Sequence, residues 1–151
     1  MGVYAGFEIP EKIFGVWALE RSENFDEFLA AKGVNWFLRQ LIKSCGLTKV
    51  IVPNVIKGTY NMENRTGGKN TDYQQWKLGE EFVAHGMDQR WHHITFTVEN
   101  DTLLEHHVRL PERAEETYYY TVDENNKLVM RMENNGIVCR RWFNKVSERP
   151  P

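Results

Sequence analysis

What this chain lacks narrows its class first. No run approaches the ~18 consecutive apolar residues that a membrane-crossing helix needs, and residues 1–12 show neither a basic start nor a continuous apolar stretch. No signal peptide is therefore read in this chain. Charge of one sign is also missing: the formal net charge of -2 argues against a nucleic-acid binder. Cysteine is scarce, and Cys45 and Cys139 lie far apart in no metal-binding or redox spacing. Free, mostly buried thiols are expected, in preference to a disulfide. Ser22, Ser44 and Ser147 sit in no nucleophile motif. No glycine-rich phosphate loop and no paired-carboxylate pattern stands out, so a binding protein is expected rather than an enzyme.

What is present is a β-rich pattern with one helical insert. At 151 residues, with 41% hydrophobic and 13% aromatic residues, the chain suits one domain with a real core. Phe14, Val16 and Ala18 alternate with Trp17 and Leu19, the period of a strand. Phe25, Phe28 and Leu29 then switch to helical spacing, with Asn24 as N-cap and Glu27 completing a capping box. Gly33 should stop that helix. A second helix over 35–45 carries an apolar stripe of Phe37, Leu38, Leu41, Ile42 and Cys45, the mark of a lid over something apolar.

From Thr48 onward the pattern is almost wholly extended. Strands are expected over 50–52, 55–56, 71–76, 81–83, 91–98, 103–110, 117–122, 127–132 and 136–143, separated by turn-like material. Many short strands with regular turns imply a sandwich or a barrel. In the last strand Ile137, Cys139, Arg141 and Phe143 share one face. Arg141 is the anomaly, because a buried guanidinium cannot deprotonate and needs an anionic or strongly accepting partner. His92-His93 and His106-His107 each put only one ring on a side, and no carboxylate or cysteine spacing completes a metal site. Asn64-Arg65-Thr66 and Asn100-Asp101-Thr102 are glycosylation sequons.

The run Gly15-x-Trp17-x-Leu19, Ser22-x-Asn24-Phe25-Asp26 and Phe28 resembles the signature of the intracellular lipid-binding family, the fatty-acid-binding proteins. The likeness continues through Lys77-Leu78-Gly79-Glu80-Glu81-Phe82, Lys127 to Met130 and Val138 to Lys145, covering about residues 11–146. Val34 to Arg39, Met62 to Asn64 and the enlarged loop centred on 64–70 are similar to the nematode branch, which includes secreted carriers. The resemblance implies an all-β, ten-stranded antiparallel up-and-down barrel of the calycin type, capped by a helix-turn-helix lid. Residues 1–10 would form an arm, 11–146 the barrel with its lid, and 147–151 a tail.

The same resemblance implies a non-catalytic, cofactor-free, monomeric carrier whose water-filled interior holds one long-chain fatty acid or related lipid. A retinoid or other apolar ligand is the alternative. In the family an Arg-x-Tyr on the last strand grips the carboxylate, helped by a second arginine two strands earlier. Arg141 takes the first position and Phe143 the tyrosine position; the second arginine falls near Thr121, where Tyr119 and Thr121 offer hydroxyls instead. Met130, Met132, Cys139, Phe28 and Trp17 are expected along the acyl chain, and Phe37, Leu41 and Met87 at the portal. Lys43, Lys49, Lys57, Arg65 and Lys69 would rim that portal and favour transient contact with anionic membranes. Secretion is implied by the branch, a cytoplasmic location being the alternative.

Overall fold

The computed structural model describes residues 8–151, so most of the expected arm over 1–10 lies outside the described residues. A short 3-10 turn at Glu11–Ile13 leads into β1 (Gly15–Glu23), followed by α1 (Phe25–Ala31) and α2 (Trp36–Ser44). Nine further strands follow: β2 (Thr48–Pro53), β3 (Tyr60–Arg65), β4 (Asn70–Trp76), β5 (Phe82–His85), β6 (Trp91–Glu99), β7 (Thr102–Arg109), β8 (Ala114–Val122), β9 (Leu128–Asn134) and β10 (Ile137–Ser147). They form one antiparallel sheet in the order β4-β3-β2-β1-β10-β9-β8-β7-β6-β5. Every neighbour is consecutive in the chain except β1 and β10, whose pairing wraps the sheet round.

Strands β4 and β5 close the ring through side chains rather than a ladder. Tyr73 meets Phe82 at 5.8 Å between ring centroids, and Trp76 stacks on Phe96 at 3.8 Å. The result is a nearly closed ten-stranded barrel with two helices, as the resemblance implies. Alternation decides which side chains face inward: Ile94, Phe96, Leu103, Tyr120, Leu128 and Phe143 are all fully buried. The helices lie at the end marked by the β3–β4, β5–β6, β7–β8 and β9–β10 turns; Asn135 Nδ2 ties the last of these to the Ala31 carbonyl at 3.2 Å.

Three local expectations are corrected. Val55 and Ile56 are exposed in the β2–β3 turn, not in a strand. The polar segment Tyr60–Arg65, by contrast, does pair as β3. Asn24 precedes α1 in the left-handed region (φ 59°) with no side-chain cap, and its Nδ2 instead donates to the Val138 carbonyl at 3.1 Å. Asn35, however, does cap α2 by accepting from the Leu38 N–H at 3.0 Å.

The apolar stripe of α2 packs inward only in part, with Ile42 half-buried against the core. Phe37 is 81% exposed and Leu41 61%, and no residue of this helix is buried. Polar bonds hold α2 to α1 instead: Arg39 Nε and Lys43 Nζ both donate to Asp26 Oδ1, at 3.1 and 3.3 Å.

Candidate functional site

The interior combines an apolar wall with an unusual set of polar side chains. Met130, Met132, Cys139, Phe143, Phe28 and Trp17 are all buried there, and the Trp17 Nε1 donates to the Ile13 carbonyl at 2.8 Å. Both cysteines are free; burial pushes the Cys139 thiol up to about 11, which keeps it protonated and inert.

Arg141 points inward from β10 and is 9% exposed. Its Nε donates to Ser22 Oγ at 2.9 Å, and its guanidinium lies 3.8 Å from the centre of the Phe25 ring, which α1 lowers onto it. Among the described residues no carboxylate pairs with it. Burial lowers its pKa to about 10, so it remains a cation at neutral pH. Most of the five guanidinium donors are left for something else.

Register brings a second cation towards the same level. Arg141 is paired with Met130, and Met130 with Tyr120, so the three form one row across β10, β9 and β8. The Tyr120 hydroxyl accepts from Lys49 Nζ at 3.0 Å and donates to Glu105 Oε1 at 2.7 Å. Lys49 also donates to Asn64 Oδ1 at 2.6 Å. Burial brings the Lys49 ammonium down to about 8, opposed by Glu105 and reinforced by Arg141. Burial pushes the Glu105 carboxyl up, but hydrogen bonds and charge from His107, Lys49 and Tyr120 outweigh it and hold it below its ordinary range.

Several expected positions move. Tyr119 and Thr121 face outward, because Tyr120 between them is the buried one; Arg131 lies 4.2 Å from the centre of the Tyr119 ring. Tyr119 and Thr121 therefore offer no hydroxyl to the interior, where Tyr118 and Tyr120 stand instead. Lys49 is no portal residue but a buried one, and Lys57 sits in the β2–β3 turn, at the end away from the helices. Sequence reading missed Lys49, Glu105, Tyr120 and the inward histidines. The signal was available: Lys49 shares a strand face with the apolar Ile51, but so near a helix end it looks like a solvated residue.

The portal candidates surround the helical end: Phe37 and Leu41 on α2, and Met87 in the β5–β6 turn. Asn64 is buried and its Nδ2 donates to Thr71 Oγ1 at 2.8 Å, so its sequon is unavailable for glycosylation. Asn100, in contrast, stands exposed in the β6–β7 turn.

Comparison with known proteins agrees with this architecture. The model of the lipocalin / cytosolic fatty-acid binding protein family matches residues 14–128. Fatty acid-binding protein homolog 4 of Caenorhabditis elegans is 59% identical over 143 residues, covering 93% of this chain and 99% of that relative. The fatty acid-binding protein homolog of Ascaris suum is 41% identical over 142 residues, covering 91% of this chain and 86% of that protein. Among solved structures, As-p18, described as an extracellular fatty acid binding protein, superposes with a TM-score of 0.87 at 40% identity, covering 91% of this chain and 98% of its own. The chain belongs to the lipocalin / cytosolic fatty-acid binding protein family, whose members are carriers and not enzymes.

Proposed function

We propose that the barrel holds one long-chain fatty acid, or a similar anionic lipid, with its head against Arg141 and Lys49 and its chain along Met130, Met132, Cys139, Phe28 and Trp17. The observation that carries this reading is Arg141: a buried guanidinium with one hydroxyl partner and no carboxylate among the described residues. A structural ion pair would supply its own anion, whereas a carrier leaves the place for the ligand's. A neutral retinoid would leave the guanidinium unsatisfied. Phe143 offers no hydroxyl, so Lys49 and Tyr120 take over the polar contacts that the family's tyrosine and second arginine would make.

Magnitudes divide the work. Burying a ~16-carbon chain at roughly 0.8 kcal/mol per CH₂ provides about 10 kcal/mol before association costs. A charge-assisted hydrogen bond adds about 1.5–3 kcal/mol. The chain therefore dominates affinity, and Arg141 sets orientation and preference for an acid. Arg141→Leu should weaken oleate binding about 10- to 150-fold without abolishing it. Unchanged affinity in a titration with a fluorescent fatty acid would remove Arg141 from the site.

Lys49 makes the same site sensitive to alkali. Its ammonium titrates at about 8 in the empty protein, chiefly through burial. A bound carboxylate favours the charged form, so affinity is full below that pH and falls as pH rises through it. A loss of roughly tenfold between about pH 7.5 and 9.5 is expected, with Lys49→Met flattening the curve. An identical slope in the variant would assign the effect elsewhere.

The exposed apolar face of α2 suits transient contact with a membrane during transfer by a monomeric carrier. Secretion is supported by the likeness to As-p18, described as extracellular. Finding the protein only in the cell-bound fraction would count against it. Native mass spectrometry with lipid extraction tests the whole reading: a stoichiometric fatty acid sustains it, and an empty protein that also ignores fluorescent fatty acids sinks it.

A further inference from the structure

A line of hydrogen bonds runs from the middle of the barrel to the β5–β6 turn. Glu105 Oε2 meets His107 Nε2 at 2.6 Å, His107 Nδ1 meets His92 Nδ1 at 3.0 Å, and His92 Nε2 meets Asp88 Oδ1 at 2.9 Å. His92, His107 and Glu105 are all buried. Each histidine nitrogen that faces a carboxylate must carry a proton to donate, and the nitrogen-to-nitrogen contact needs one more. Meeting all three contacts at once takes three protons on the four ring nitrogens. A fourth proton sets two N–H groups against each other across 3.0 Å, and that contact must break.

With both rings charged, His92 would keep Asp88 and His107 would keep Glu105, but the two rings would repel each other across the middle of the line. From the β5–β6 turn come Asp88 and Arg90; from β7, Glu105 and Arg109; from the β7–β8 turn, Glu112. Strand β8 adds Glu116, α1 adds Lys32 and β2 adds Lys49. Lys32 is paired with Glu116 at 2.5 Å, Arg90 and Arg109 both reach Glu112, and Arg109 lies 3.8 Å from Asp88. These four carboxylates and four cations balance, so no spare charge is at hand to offset repulsion between two charged rings. Tyr73, Tyr118 and Tyr120 are held neutral by burial. Protons have a route in, since a surface recess of roughly 170 Å³ beside the end of α1 is lined by Lys32, His107, Arg109 and Glu116.

The turn is mechanically tied to this line. Gly86 lies so close to His92 that a Cβ there would fall 2.6 Å from Nε2. The same turn is closed by the Gly86 N–H donating to the Arg90 carbonyl at 3.0 Å, and it carries Met87 at the mouth of the barrel. A displaced His92 ring therefore disturbs the turn through Gly86, against which it packs, and through Asp88, which it bonds. We propose that Asp88, His92, His107 and Glu105 form a proton-operated latch on the β5–β6 turn, whose second imidazolium opens the mouth and speeds lipid exit. The lipid part of this inference rests on the carrier reading above.

The test uses hexadecanesulfonate, whose head group keeps its charge throughout, and follows its release from the full chain by stopped-flow displacement between about pH 7.5 and 5, the range in which histidine titrates. Release about tenfold faster at the acid end, with the acceleration lost in His92→Gln, is the expected result. In parallel, imidazole and methionine-methyl NMR of the empty wild-type protein should show the Met87 methyl shifting together with the His92 and His107 titration. Constant release rates in a protein that holds the sulfonate would overturn the latch and leave the carrier reading standing. A Met87 methyl that ignores the imidazole step overturns the latch whether or not the variant folds. A protein that retains no lipid at any pH defeats both readings.

Discussion

Arg141 and Lys49 show how two cations of the same charge come to different states inside one barrel. Both lose hydration, but Arg141 remains charged at neutral pH because its intrinsic basicity is so high, whereas Lys49 comes within reach of physiological pH. Glu105 is the anion that keeps Lys49 and Tyr120 in place, and its removal tests that role. Glu105→Gln should cost about 1–3 kcal/mol at neutral pH, read as a lower urea midpoint. The sign with pH follows from its depressed native pKa: the contribution is present above the ordinary carboxylate range and is lost as pH falls through the native value. Variant and wild type should therefore converge in acid, and parallel curves would refute the assignment. Of these residues only Arg141 was legible beforehand, because a cation sharing a face with Ile137, Cys139 and Phe143 violates the alternation around it.

Among the elements, α2 departs furthest from its sequence pattern. Helical periodicity correctly marked a helix with one apolar side, and Asn35 marked its start. Periodicity alone does not say whether that side meets protein or solvent. Two ion pairs to Asp26 dock α2 by its polar side, leaving Trp36, Phe37 and Leu41 outward. Leu41→Ser should therefore change stability by less than about 0.5 kcal/mol, while slowing fatty-acid transfer to anionic vesicles. Equal transfer rates for variant and wild type would exclude α2 from the membrane contact. The opposite error occurred at β3, whose Tyr-Asn-Met-Glu-Asn-Arg composition hides a strand. Asn64 is tolerated there because Lys49 and Thr71 give it partners that only the folded barrel supplies, while Glu63 bonds Arg65 two residues along the same strand.

At the scale of the molecule, a ligand that binds the folded barrel and not the unfolded chain stabilises it by mass action. Oleate at a hundredfold excess over its Kd should add about 2.7 kcal/mol, raising Tm by roughly 5–10 °C for a chain of this size. A thermal scan with no shift would contradict binding to the native state. The sequence by itself determined the strand-rich class, the helical insert after β1, most strand positions and the inward Arg141, because these depend on periods of 2 and 3.6 that are local to the chain. Only the tertiary structure decided that Tyr120 and not Tyr119 faces inward, that Lys49 leaves the surface, and that two histidines meet between two carboxylates. Those outcomes depend on register between strands far apart in sequence, where a shift of one residue would exchange the inside for the outside.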